Sequence, residues 1–393
     1  MKYFLLSISL WLTAITALAA NQSGDSIPFL YRGHLYLDAK VNNSTQCRVV
    51  FDTGGADMFG VDSVFLAHSA WKPQKMGQAM AGGAAGKTKV RVIFEPATVK
   101  TGNHAEKFEY VPIFKLRDVV DCHVDGIMGI KDIMNHPFEI NFEHGYIKQH
   151  IGGKPRVDGY MKVPITYKDK RILLQAETVV AGKRIKGTYL MDTGGGGTID
   201  FTAATTHQHS LETIEGKRLV TDHTQFGLGG KELETIVTMK SQKFIIGNDT
   251  ITNEEFDYIP EGVGAFSNRE YLGTIGNNIW SNYNIIIDAS AGFMYLKRFK
   301  PSKEDRVSYG YSFRNRTDIG MGWIVSSLNR GGAAATSGLR LNDIILSVNG
   351  KKVEDYTWDE EREVYNLPSQ DLVVKGRDGT TRQIHLEPAD PWK

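Results

Sequence analysis

Short runs in which apolar and polar residues alternate recur along the whole chain. They cover residues 34–41, 87–94, 108–113, 172–180, 234–239 and 285–287. A period of two places successive side chains on opposite faces of a strand. Clusters of Gly, Asn and Asp separate the runs and supply turns. The 3.6-residue period of amphipathic helices is sparse. The pattern predicts a mainly all-β protein.

The runs are arranged as a repeat. Phe51-Asp52-Thr53-Gly54-Gly55 returns as Met191-Asp192-Thr193-Gly194-Gly195, an offset of 140 positions. Both motifs follow apolar, β-branched or aromatic residues, so each reads as a strand ending in a Gly-permitted turn with an Asp at its tip. Further on, Gly82-Gly83 matches Gly229-Gly230 at an offset of 147, which Gly126 and Gly273, Gly129 and Gly276, and Gly145 and Gly292 keep. Phe138 with Ile285, Ile140 with Ile287 and Tyr146 with Phe293 stay in step as well. One loop of the second copy is therefore seven residues longer. Ile27-Pro28 and Val163-Pro164 open the two copies. Self-similarity of this length implies two duplicated all-β lobes, residues 21–160 and 161–300. A charged stretch with one Pro, residues 297–306, reads as a linker, and residues 308–393 remain for one small domain.

With 393 residues, the chain has length for two or three domains, each with its own core. Charge changes the picture by exclusion. There are 46 Lys and Arg against 45 Asp and Glu, without the basic excess by which nucleic-acid binders neutralise phosphates. No nucleic-acid partner is expected. Lys2, the apolar run 4–12 and Ala17-Leu18-Ala19-Ala20 have the order of a secretory signal peptide, residues 1–20. Ser7, Ser9, Thr13 and Thr16 interrupt the run, which is short of the roughly 20 apolar residues of a membrane span. The expectation is an exported protein, in the periplasm, cell envelope or medium, with no stable membrane span. About six residues separate Ala20 from Ile27, too few to block a cleft, which predicts a mature form that needs no proteolytic maturation. Cys47 and Cys122 could form a disulfide in that setting, though two cysteines make no scaffold. His207-Gln208-His209 lacks further ligands at metal-site spacing, so no metal is expected. His123 beside Cys122 suggests a Cys–His nucleophile only by adjacency, with nothing else in the sequence to support it.

Two Asp-tipped turns related by duplication meet at the lobe interface. Carboxylates a few Å apart cannot both ionise easily, so they share a proton. One can then act as base toward a water and the other as acid toward a carbonyl oxygen and leaving amine. In these residues the chain resembles the aspartic peptidases, the pepsin and retropepsin group, from near Ile27 to near Leu296. Asp125-Gly126-Ile127-Met128-Gly129 and Leu272-Gly273-Thr274-Ile275-Gly276 resemble that family's second signature. The resemblance implies a bilobal acid-protease pair of β-barrels and a catalytic dyad, Asp52 and Asp192. Thr53 and Thr193 would lock the loops across the interface, and Gly54 and Gly194 would let the backbone approach the carboxylates. It implies a polypeptide substrate, no cofactor, and a monomer, since one chain holds both halves of the dyad.

The Gly-rich segments around Gly82 and Gly83, and around Gly229 and Gly230, look like two flaps, the retropepsin arrangement. Two departures stand out. The family places Ser or Thr after Asp-Thr-Gly, where this chain has Gly55 and Gly195, and neither flap carries pepsin's Tyr. Loss of the hydroxyl donor should raise the dyad's pKa values. A non-catalytic peptide-binding protein of the same fold is the alternative, and a hydrolase of cell-wall peptide crosslinks a weaker one.

Residues 308–390 resemble a PDZ domain of the kind attached to bacterial exported proteases. The resemblance rests on Gly331-Gly332-Ala333-Ala334-Ala335-Thr336-Ser337-Gly338-Leu339 and on Asn342-Asp343-Ile344-Ile345-Leu346-Ser347-Val348-Asn349-Gly350. It implies a loop, Gly320, Met321, Gly322 and Trp323, that receives a peptide C-terminus, with Ile324 opening the edge strand and residues 358–365 forming the groove helix. Packing against lobe two, substrate capture and autoregulation stay open as roles for this domain.

Overall fold

The computed structural model describes residues 26–393 apart from 43, 45, 56, 84–85, 225–232, 260–263 and 301–306. Strand makes up 48% of the chain and helix 13%, which settles the all-β reading. The N-terminal segment 1–20 lies outside the described residues.

A six-stranded antiparallel sheet joins the two lobes. Its order is residues 26–28, Tyr146–Gln149, Phe138–Asn141, Tyr283–Asp288, Phe293–Arg298 and residues 161–164. The central pairing sets Phe138 opposite Ile287 and Ile140 opposite Ile285. In the repeat Phe138 corresponds to Ile285 and Ile140 to Ile287, so the register itself carries a pseudo-two-fold axis. The outer strands Ser26–Tyr31 and Met161–Lys168 each begin in this sheet and finish in their own lobe, paired to Leu35–Val41 and Arg171–Val180. Pro28 and Pro164 stand at the last rung before the change of sheet. A residue with no N–H to donate suits a strand about to leave its neighbour.

Each lobe carries the same crossing. Gln46–Phe51 runs parallel to Gly126–Met128, which pairs antiparallel with Phe59–Asp62 on its other side. Lys183–Met191, Gly273–Ile275 and Ile199–Phe201 repeat it. The expected run 108–113 is two strands instead, His104–Phe108 and Val111–Phe114. Phe108 ends a hairpin with Ala97–Thr101, while Val111 opens a strand beside Phe59–Asp62 and Gly86–Ile93. The change of partner forces the break.

One apolar core runs through both lobes and the joining sheet, and a second fills residues 309–386 around Tyr309, Trp323, Val325, Ile345 and Leu372. No described helix is long and apolar enough to cross a membrane. Ile285 is wholly buried at the centre of the joining sheet. Ile285→Ala should cost about 2–5 kcal/mol, read as a lower midpoint in chemical denaturation.

Candidate active site

Strand pairing delivers the two Asp residues to one place. Asp52 leaves Gln46–Phe51 with its N–H donating to Met128 O at 2.9 Å, and Asp192 leaves Lys183–Met191 with its N–H donating to Ile275 O at 3.0 Å. Between them the threonines cross. The Thr53 N–H donates to Thr193 Oγ1 and the Thr193 N–H to Thr53 Oγ1, each at 3.0 Å. The Thr53 hydroxyl donates to Met191 O and the Thr193 hydroxyl to Phe51 O, each again at 3.0 Å. Both side chains are buried, and the N–H and hydroxyl of each threonine find their partners in the opposite lobe.

The carboxylates are held from below by their own loops. Asp52 Oδ1 accepts from the N–H groups of Gly54 at 2.7 Å and Gly55 at 3.0 Å; Asp192 Oδ1 accepts from Gly194 at 2.9 Å and Gly195 at 3.1 Å. A Cβ on Gly54 would lie 2.8 Å from Asp192 Oδ1, and one on Gly194 would lie 2.5 Å from Asp52 Oδ1. Each glycine is therefore required for the approach of the other lobe's carboxyl group. The two carboxyls hydrogen-bond to each other, and Asp52 is raised well above the ordinary carboxylate range, by burial first and by the charge of Asp192 second. Burial also raises Asp192, against the pull of the Gly194 N–H. The pair can hold one proton and one charge between an acid and a base.

The positions after Asp-Thr-Gly are not equivalent. A Cβ on Gly55 would meet Asp52 Oδ2 at 2.8 Å, while one on Gly195 would stand 3.5 Å from Asp192 Oδ2, an ordinary contact. Lobe two also holds Asn277, whose amide donates to Gly33 O at 2.8 Å and Thr193 O at 2.7 Å, bracing the second loop against the first lobe. The repeat sets Ile130 in the matching place. The asymmetry extends to Asp200, beside Asp257 in the strand register. Burial first raises both, with the charge of Asp192 adding for Asp200 and that of Asp200 for Asp257. Asp200 corresponds in the pairing to Gly60 of lobe one.

Gly82 and Gly83 close the strand Met76–Gly83, which pairs with Gly86–Ile93 in a hairpin. This hairpin crosses to the 3-10 turn Gly264–Ser267 of lobe two. Gly229 and Gly230 lie outside the described residues, but the stem below them is a hairpin of Leu219–His223 and Glu234–Lys240.

The C-terminal module meets both lobes. Its strand Trp323–Asn329 pairs with the second stem, Thr221 opposite Asn329 and His223 opposite Ser327, so one sheet runs from lobe two into the module. The expected edge at Ile324 is not an edge: Trp323 and Ile324 are paired to Asn315 and Arg314 on one side and to Ile345 and Ile344 on the other. The loop Gly320, Met321 and Gly322 stands at the far turn, with the backbone of Trp323 already spent. Among the described residues Tyr311–Asn315 pairs with Trp323–Asn329 alone, and its other side faces the helix Trp358–Glu363 and Tyr365, whose hydroxyl accepts from the Phe313 N–H at 3.3 Å. That side is the open one, and α-helical residues from Trp358 line it as expected.

Cys47 and Cys122 are separate thiols, not a disulfide. Both line a cavity of about 390 Å³ with Arg48, Arg117, His123 and Asp125. Cys47 Sγ is turned to Ala39 O at 3.3 Å and the Cys122 N–H to Asn315 O at 3.1 Å. His123 is no nucleophile partner but a contact: its Nε2 lies 3.0 Å from Glu361 and its ring stacks on Trp358. Nothing in the local sequence signals this docking. No group of metal-ligating side chains occurs among the described residues.

Residues 301–374 match the family model of the PDZ domain, which identifies the C-terminal module as a PDZ domain. PDZ domains bind peptide C-termini. No aspartic peptidase model matches the lobes, and no curated protein matches the chain.

Two substitutions read the site directly. Thr53→Val leaves the Thr193 N–H and Met191 O buried without partners and should cost about 2–5 kcal/mol, seen as a fall in thermal midpoint. Asp52→Asn should act in the opposite sense. A carboxyl raised in the folded state binds a proton that the unfolded chain has released, so the parent loses stability as pH climbs from about 4 through the raised value. The variant's thermal midpoint should therefore exceed the parent's by a margin that grows between pH 4 and 8.

Proposed function

We propose that the chain is an exported aspartic endopeptidase that cleaves extended polypeptides in the cleft between the lobes, its residues 1–20 directing export. The observation that carries this reading is the crossed threonine pair, which sets two carboxyl groups in mutual hydrogen bonding on loops where only glycine fits. In the reaction Asp192, ionised, takes a proton from water, whose oxygen bonds to the peptide carbonyl carbon. Asp52, protonated, donates to the carbonyl oxygen. The tetrahedral diol then collapses: the C–N bond breaks with its electron pair on nitrogen, the proton on Asp192 moves to the leaving amine, and Asp52 takes back a diol hydroxyl proton as the carbonyl re-forms. The hairpin that ends at Gly82 and Gly83 would cover the peptide and exclude water.

The alternative, a peptide-binding protein of the same fold, draws on the PDZ domain. Asp52→Asn separates the two: an endopeptidase loses turnover by roughly 10²–10⁴-fold while keeping its grip on peptide, whereas a binder loses little. Mass spectrometry of a denatured protein mixture incubated with each form reads the outcome.

The glycines after the motifs tune the pH range. Gly195→Ser should fit and donate a hydrogen bond to ionised Asp192, lowering its pKa and moving the acid limb of the activity profile to lower pH. Gly55→Ser should clash with Asp52 and lose activity at every pH. A common response of both variants would refute the asymmetric assignment.

A further inference from the structure

The side of the PDZ domain that is open in the strand pairing is not empty in this chain. Residues 117–123 of lobe one lie against it. The Cys122 N–H adds a backbone rung at Asn315 O, 3.1 Å away. Asp118 pairs with Arg316, and Arg117 with Asp318 at 3.0 Å, so the charges alternate across the contact in register. The His123 ring stacks on Trp358 at 4.9 Å between centroids while its Nε2 meets Glu361 at 3.0 Å. Trp358 is in turn seated on lobe one, with the Arg48 guanidinium 4.2 Å from its ring centre and Tyr36 edge-on at 5.0 Å. Asp359 beside it pairs with Arg32.

We infer that residues 117–123 are an internal ligand of the PDZ domain, held on the outer edge of Tyr311–Asn315 and against Trp358–Glu363, and that an external extended peptide reaches this surface only by displacing them. The resident segment is compact, the 3-10 turn Leu116–Asp118 followed by tight turns, so its one rung at Asn315 occupies the end of an edge along which an extended peptide would pair. The contact chemistry defines the partner: a peptide with a base and then an acid for Asp318 and Arg316, and an imidazole or flat ring for Trp358 five positions after the acid. The resident segment is tethered, so its effective concentration is in the millimolar range for a short connection. It therefore excludes weak competitors. The ion pairs are largely shielded from water, Arg316 with Asp118 at 9% and 29% exposure and Arg117 with Asp318 at 15% and 13%, so only a ligand that replaces both charges can displace the segment. Displacement would reach the second stem, because Trp323–Asn329 pairs with both Tyr311–Asn315 and Leu219–His223. The inference holds whether or not the dyad is catalytic.

The test uses the full chain and a labelled nonapeptide with the sequence of residues 116–124, Ser replacing the cysteine. Asp118→Ala combined with His123→Ala loosens the resident segment without altering the PDZ surface. Fluorescence anisotropy should find the peptide bound at least tenfold more tightly by this variant than by the parent. A scrambled peptide should show no such gain. Adding Arg316→Glu should abolish the gain. Equal affinity for parent and variant, absence of binding to a variant that melts cooperatively, or a gain that survives Arg316→Glu would each overturn the inference. Arg48→Ala, which removes the guanidinium under Trp358 together with its ion pair to Asp38, replaces the double variant if that one fails to fold. In the loosened variant amides 219–223 should exchange with deuterium faster than in the parent; unchanged exchange would overturn the link to the second stem. Asp52→Asn, tested alongside, should leave peptide affinity unaltered, so failure of the peptidase reading cannot be confused with failure of this one.

Discussion

Four hydrogen bonds between two threonines and the strands behind them fix everything that lies above. Thr53 and Thr193 each give a hydroxyl proton to the opposite lobe's main chain and each accept an N–H from it. Buried and complete, the set leaves the two loops one relative position. The carboxyl groups they carry are thereby pressed into a contact that charge alone would forbid. The energy that keeps two acids together comes from a core and a joining sheet that extend through both lobes. Gly54 and Gly194 are consequences of that pressure: the space a side chain would need already holds the other lobe's carboxylate.

Duplication made this site, and divergence has since worked on one half. The joining sheet keeps its two-fold register, Phe138 to Ile287 and Ile140 to Ile285. Away from it the halves part. Lobe two alone has the Asn277 brace, the Asp200 and Asp257 pair, and room for a side chain after its Asp-Thr-Gly. The hairpins diverge most. The first crosses the cleft to the other lobe, while the stem of the second is fastened into a sheet with the PDZ domain. A symmetric pair of carboxylates therefore sits in unlike surroundings, a condition under which one can be acid and the other base.

Much of the fold was legible because duplication writes itself twice. Glycines kept at one offset and prolines opening each copy pointed to paired lobes, and the structure places those prolines where a strand changes sheet. The juxtaposition of Asp52 and Asp192 followed from the same argument. What escaped was pairing between distant segments. Ile324 reads as the start of an edge strand because its own residues are apolar and follow a glycine turn; that Arg314 and Ile344 flank it depends on segments elsewhere in the domain. The split of 108–113 escaped for a similar reason, since alternation continues across Glu109-Tyr110 although the partner changes. The docking of Trp358 between lobe one and the PDZ domain had no local signal, because a tryptophan's neighbours across an interface leave no period in its own segment.

The shared sheet of Leu219–His223 and Trp323–Asn329 alters what counts as a part of this molecule. Composition divides the chain near residue 300, where charge and proline interrupt it. Hydrogen bonding draws no line there. Cutting at the linker would strip a row of partners from both sides and leave two raw strand borders, each a template for unintended pairing with another copy. A piece prepared by following the composition would thus carry an adhesive seam that the intact chain conceals.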